Sequence, residues 1–251
     1  MSNHNKQNSQ RISRRQAPSK GDLRFDVGNS DGDGCVEQGR ELSMAQLVSA
    51  YAQGVFPWYN EGQPISWFCP DPRLILLPEK IKVSKSLKRN LKKFEVRFDT
   101  CFSKVIRACA ATKRKKQSGT WITTDMTEAY IRLHQAGVAH SVESFFDGKL
   151  VGGLYGLALG SCFFGESMFA HKSDASKVAL VVLAQQLFEW DFDLIDCQVK
   201  TDHLLSIGAH QTSRSEFLKQ LRKSVVTPSR IGSWTSPDQI KLKRLAKKVY
   251  E

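Results

Sequence analysis

Apolar residues recur along this chain in two periods. Met44, Leu47, Val48 and Tyr51 follow at steps of three and four behind Ser43, which predicts a capped helix that Gly54 stops. The helical period returns over 124–135, ahead of Gly137, and again from Ser173 or Asp174 to about Glu189. The stretch 178–183 is apolar on every side, so that last helix is expected to pack deeply. Between the helices, 141–146 and 149–159 read as strands joined at Asp147-Gly148, a hairpin turn pair. Shorter apolar runs predict strands over 74–77, 162–164 and 193–199, and a short helix from Asp202 leads to a strand-like segment ending at Arg214. Hairpins followed by helix and strand define a mixed α+β class.

The run 193–199 carries the most pointed chemistry. Side chains alternate along a strand, so Asp196 and Gln198 are expected to face the same way, ~6–7 Å apart, with Cys197 turned away. A carboxylate and an amide on one face of an apolar strand cost free energy unless they are paired or used. Glu166 is a second carboxylate, expected in a Gly-led turn just before the deep helix. On these residues alone, Asp196 as a local cap and Gln198 as a loop tie is as good a reading as a reacting centre.

Composition narrows the partners. A chain of 251 residues suits one large domain or two small ones and is long enough for a core, although its apolar content of 41% is slightly lean, in part because of its polar ends. The formal charge of +12 favours a polyanion. One acid-free cluster follows Ser84, where Lys85, Lys88, Arg89, Lys92 and Lys93 share a short helix, while Leu87 and Leu91 can pack inward. That pattern reads as a phosphate-binding ridge, extended by the basic loop 113–116. The six cysteines have no CxxC spacing, as expected for reduced thiols in the cytoplasm, and no zinc site is expected. No apolar run reaches about 18 residues, and the polar start has no secretory pattern, so neither a membrane span nor a leader is expected. Residues 1–22 are polar and basic and are expected to be disordered. The stretch 29–34 resembles a calcium loop, but Arg40 stands where such a loop needs a bidentate Glu, so a Gly/Asp-rich turn is expected. His140, His171, His203 and His210 lack metal spacing and read as structural.

A larger pattern joins these pieces. Phe56-Pro57-Trp58, Pro70-Asp71-Pro72-Arg73, Thr120-Trp121-Ile122-Thr123, Gly165-Glu166-Ser167-Met168-Phe169, Ala175-Ser176-Lys177 and Asp196-Cys197-Gln198 occur in this order. From about Leu42 to about Leu221 the chain resembles the bacterial leucyl/phenylalanyl-tRNA–protein transferases. The resemblance implies a small N-terminal α/β domain followed by a GNAT-like acyltransferase domain with a mixed sheet. Here these would be residues 23–97 and 98–222, behind the tail 1–22 and before a divergent basic extension, 223–251, part of it helical. It implies transfer of Leu or Phe, or Met, from aminoacyl-tRNA to proteins with an N-terminal Arg or Lys, marking them for N-end rule degradation. Attack of an amine on an activated ester needs no metal, no ATP and no cofactor. The expected partners are Leu-tRNA, Phe-tRNA and the acceptor proteins, with no membrane, and the enzyme is expected to be a monomer.

The same resemblance assigns residues. Asp196 and Gln198 would lie at the reacting centre, the Gln oxygen orienting the amine and Asp196 polarising that amide or relaying its proton. Glu166 would contribute a nearby carboxylate that holds the basic side chain of the acceptor. Leu154, Phe163 and Leu183 would line the aminoacyl side-chain pocket, Trp58 and Trp121 would contact the terminal adenosine, and Lys85, Arg89, Lys92 and Lys93 would hold the tRNA acceptor stem. The chain departs from the family at Gly39-Arg40-Glu41-Leu42, at Phe68 where a second tryptophan is common, in a longer basic loop, and after Leu221. Two alternatives stand beside this expectation. A CoA-dependent GNAT enzyme would need a glycine-rich pyrophosphate turn, which residues 138–189 lack. A noncatalytic tRNA- or RNA-binding protein would use the ridge and the aromatics without needing Asp196 or Gln198.

Overall fold

The computed structural model describes residues 23–112 and 120–235; the expected N-terminal tail, the basic run 113–116 and the expected C-terminal helix lie outside them. In chain order the elements are β1 (Cys35–Gln38), α1 (Met44–Ala52), β2 (Phe56–Pro57), β3 (Ser66–Phe68), β4 (Arg73–Leu76), α2 (Lys85–Leu91), β5 (Glu95–Phe98), α3 (Phe102–Ala111), α4 (Thr124–Gln135), β6 (Ala139–Phe146), β7 (Lys149–Leu159), β8 (Cys162–Ala170), α5 (Ala175–Glu189), β9 (Leu194–Gln198), α6 (Asp202–Ser206), β10 (His210–Thr212) and α7 (Arg214–Ser224).

Local chemistry explains most of these boundaries. Ser43, Ser84, Thr123 and Ser213 each accept a backbone N–H of the first turn of α1, α2, α4 and α7. Asp147-Gly148 turns β6 into β7 as the sequence predicts, both residues having positive φ. The 29–34 segment is the expected turn: Asp31 Oδ1 accepts the N–H groups of Asp33 and Cys35. One expected boundary fails. The strand starting at Cys162 does not end at Phe164 but runs to Ala170, so Glu166 lies inside β8 and not in a turn.

Seven strands form one mixed sheet in the order β10-β4-β9-β8-β7-β6-β5, and β1, β3 and β2 form a small antiparallel one. Every neighbouring pair of the large sheet is antiparallel except β8 with β9. One core gathers residues of the small sheet with α1, α3, α4 and α7, including Trp67, Phe102, Tyr130, Phe164 and Phe217. The other gathers α2 and α5 residues, including Leu87, Leu91, Leu180 and Leu183, with Phe163 and Ile195. Adjacent strand residues divide between the two cores, Phe163 in one and Phe164 in the other, as side-chain alternation requires.

Candidate active site

Two irregularities shape the region where β8 and β9 meet. Across the β7–β8 ladder Tyr155 faces Ser167 while Gly156 faces Gly165, so Glu166 is an extra residue bulged into β8. A bulge bends its strand and re-aims a side chain. Gly156 makes room for it: a Cβ there would stand 2.1 Å from the Phe164 carbonyl oxygen and 2.7 Å from the Phe163 ring. Across β4–β9, Leu74 faces Gln198 and Ile75 faces Asp196, leaving Cys197 extra. Gln198 then takes a φ of 61°, in the left-handed region that few non-glycine residues occupy. Simple alternation therefore does not describe this pair. Asp196 Oδ1 accepts the backbone N–H of Gln198 at 2.9 Å, and the Gln198 side chain reaches across to Glu166.

The parallel β8–β9 ladder runs from Cys162–Leu194 only to Phe164–Asp196, although β8 continues for six residues. Glu166, Asp196 and Gln198 gather where it stops, and all three are buried. Asp196 is held by Arg73 of β4, with Nε to Oδ1 at 2.8 Å and Nη2 to Oδ2 at 2.5 Å. Neither side chain of the pair reaches solvent. The guanidinium lies between the Phe56 and Phe217 rings, 4.8 and 4.5 Å from their centroids, and its Nη1 has no hydrogen-bond partner among the described residues. Burial opposes the Arg73 charge, but the adjacent Asp196 carboxylate outweighs it and raises the proton affinity of the guanidinium.

Glu166 has neutral partners instead. Its Oε1 accepts from Tyr51 at 2.6 Å and from the Gln198 amide at 2.7 Å, and its Oε2 accepts from Tyr130 at 3.1 Å. The two tyrosine hydroxyls also touch each other. Burial raises the Glu166 carboxyl from 4.5 to about 7, while each of its three hydrogen bonds, taken singly, favours the ionised form. Tyr51 and Tyr130 are raised well above their ordinary value, first by burial and then by the Glu166 charge. A buried carboxyl titrating near neutrality, beside an amide whose carbonyl end has no hydrogen-bond partner among the described residues, can orient an amine and exchange a proton.

The other expected site residues fall into three groups. Leu154 of β7, Phe163 of β8 and Leu183 of α5 belong to the same core, each 3% exposed or less. Trp58 and Trp121 are half-buried on separate segments, which a Tyr59–Thr123 hydrogen bond of 3.0 Å draws together. Lys85, Arg89, Lys92 and Lys93 are exposed on and just after α2, whose Asn90 donates to Asp174 at the start of α5. Arg73, Tyr51 and Tyr130 are not among the site residues expected from the sequence. An arginine opening the apolar strand 73–76 signalled a buried acid partner, and tyrosine at a core helical position signalled a hydroxyl that needs one.

Comparison with known proteins gives this geometry its context. Residues 75–222 match the family described as leucyl/phenylalanyl-tRNA protein transferase, and residues 40–71 match its N-terminal domain. A leucyl/phenylalanyl-tRNA–protein transferase of Myxococcus xanthus is 50% identical over 208 residues, covering 82% of this chain and 89% of that one. One from Aromatoleum aromaticum is 52% identical over 216 residues, covering 85% and 91%. A functionally unknown conserved protein from Staphylococcus epidermidis superposes with a TM-score of 0.36 at 8% identity, covering 71% of this chain and 68% of that one, too loosely to bear on the GNAT expectation. The protein is an enzyme of the aminoacyl-transfer class. Within that class, the chain belongs to the leucyl/phenylalanyl-tRNA–protein transferase family.

Proposed function

We propose that this enzyme moves leucine or phenylalanine, and methionine as a further donor, from aminoacyl-tRNA to the α-amine of proteins that begin with Arg or Lys. It would act as a cytoplasmic monomer without a cofactor, and its products would enter N-end rule degradation. The observation that carries this reading is the Gln198 side chain, left-handed in backbone and tied by Nε2 to Glu166 at 2.7 Å. With Nε2 so engaged, Oε1 is the end left to accept a hydrogen from the incoming amine. The amine nitrogen bonds to the ester carbonyl carbon and loses a proton, and the bond from that carbon to the ribose oxygen breaks as the oxygen takes one up. Orientation supplies much of the acceleration, because the ester is already activated.

The roles of the two carboxylates follow from their partners. Asp196 spends its oxygens on Arg73 and on the Gln198 N–H, so its role is to position Gln198. Glu166 spends its oxygens on Tyr51, Tyr130 and Gln198, which suits fixing the amide better than gripping the acceptor's cation. Leu154, Phe163 and Leu183 form the donor side-chain pocket, closed until the donor enters where β8 and β9 part. Trp58 and Trp121 stack on the terminal adenosine, each contact worth about 1–3 kcal/mol. Lys85, Arg89, Lys92 and Lys93 hold acceptor-stem phosphates, which allows different tRNAs because phosphate contacts carry no sequence information. The division into a small N-terminal α/β unit, 23–97, and a GNAT-like unit, 98–222, is one of function more than of folding, since β4 and β5 belong to the large sheet.

The test is transfer of labelled leucine from Leu-tRNA to a peptide beginning with Arg. Gln198→Ala should lower kcat/KM about 100-fold, the scale of a misplaced reactant, while Leu-tRNA binding persists. Bound Leu-tRNA with no product from the unaltered enzyme, for any donor, would leave only RNA binding.

A further inference from the structure

Three side chains close a ring of hydrogen-bonding oxygens beside the candidate site. Tyr51 Oη lies 2.6 Å from Glu166 Oε1, Tyr130 Oη lies 3.1 Å from Glu166 Oε2, and the two tyrosine oxygens are in direct contact. Each of these contacts needs one proton, and the two hydroxyls supply only two. With Glu166 ionised, one contact is left with lone pairs opposed. With Glu166 protonated, each member donates once and accepts once, and Oε1 still receives the Gln198 amide. The ring is complete only when it holds a third proton.

We propose that Tyr51 and Tyr130 are positioning residues that set the proton affinity of Glu166, the closed ring adding one hydrogen bond for each proton taken up. This deepens the transferase reading and rests on it only for the use made of that proton. The neighbours leave the ring as the adjustable element. From β7, Tyr155 meets Tyr130 edge-on with ring centroids 5.6 Å apart. From β9, Gln198 supplies a neutral donor, and the Asp196 charge, which raises the Glu166 proton affinity, is itself paired with Arg73 of β4. No charged side chain makes a hydrogen bond to Glu166 among the described residues. A transfer that strips a proton from an α-amine and returns one to a ribose oxygen can use such a one-proton store.

The experiment follows the Glu166 carboxyl by infrared titration of protein with isotope-labelled glutamate, the band being assigned by its loss in Glu166→Gln. Tyr130→Phe and Tyr51→Phe each keep the packed ring and remove one hydroxyl. In either variant the remaining hydroxyl satisfies the ionised carboxylate and the extra proton finds no partner. The midpoint should fall by roughly one pH unit, about tenfold in proton affinity. In the double variant, burial without hydroxyl donors should bring it back up. Simple loss of donors predicts the opposite first step, a rise in each single variant. An unmoved or raised midpoint in both single variants overturns the ring. A midpoint that falls and takes the pH profile of transfer with it supports ring and transferase reading together. One that falls while that profile stays fixed supports the ring and removes Glu166 from the reaction.

Discussion

Asp196 and Glu166 are buried carboxylates on neighbouring strands, and they have opposite company. Asp196 has a cation, gripped by two nitrogens between two aromatic rings. Glu166 has two phenols and an amide. A buried charge balanced by another is fixed in place and costly to disturb, whereas one solvated by neutral dipoles stays free to change protonation near neutral pH. One carboxylate therefore anchors the site and the other remains responsive. Gln198 joins them, its backbone N–H on the first and its side-chain amide on the second.

The sharpest way to break this contrast is to remove the cation. Arg73→Met should cost about 3–5 kcal/mol in urea unfolding, because it strands a buried carboxylate. Arg73→Met with Asp196→Leu should recover most of that loss. A single variant as stable as the parent would show that Asp196 does not depend on its partner.

A smaller effect separates burial from function. Glu143 is also raised from 4.5 to about 7 by burial, yet it lies on β6, two strands from Glu166 in the sheet, and its donors are Ser141 and Thr100. Both acids bind a proton more tightly folded than unfolded. Their contribution to stability is therefore full below about pH 4.5 and is lost as pH rises toward about 7. Glu143→Gln and Glu166→Gln should each flatten that decline in unfolding measured across this window, and only the second should disturb aminoacyl transfer. Equal loss of transfer in both would mean that a raised carboxyl alone marks the site.

The mildest changes concern cations in water. Arg89 carries the same charge as Arg73 but is exposed, so Arg89→Ala or Lys85→Ala should leave unfolding nearly unchanged. Each should reduce the slope of log tRNA affinity against log salt by about 0.7–0.9, equally for every amino acid on the tRNA. A change that depended on the donor amino acid would move the ridge closer to the reacting centre than its place on α2 suggests.

Much of this arrangement is legible one residue type at a time. Capping serines and a Gly-terminated apolar stripe announce α1, and Asp147-Gly148 announces the hairpin, because those signals act within a few residues. Glu166 was harder. Gly165 reads locally as a turn, and only the partner strand, through the close approach at Gly156, shows that the glycine pair accommodates a bulge. Arg73 and Asp196 are 123 positions apart, and no local rule joins them. Tyr51 looks like the last apolar residue of a helical stripe until the hydroxyl's destination, on another element, is known.

The bulge at Glu166 also imposes a parity on β8. Phe164 and Phe169 pack into the same core, as Phe163 and Met168 do into the other, although each pair is five residues apart and a plain strand would send its members to opposite faces. The side chain at 166 can therefore be exchanged at a local cost, but the position cannot be lost. Deleting it would give a more regular ladder while turning the rest of the strand inside out, so the length of this segment is fixed more firmly than its composition.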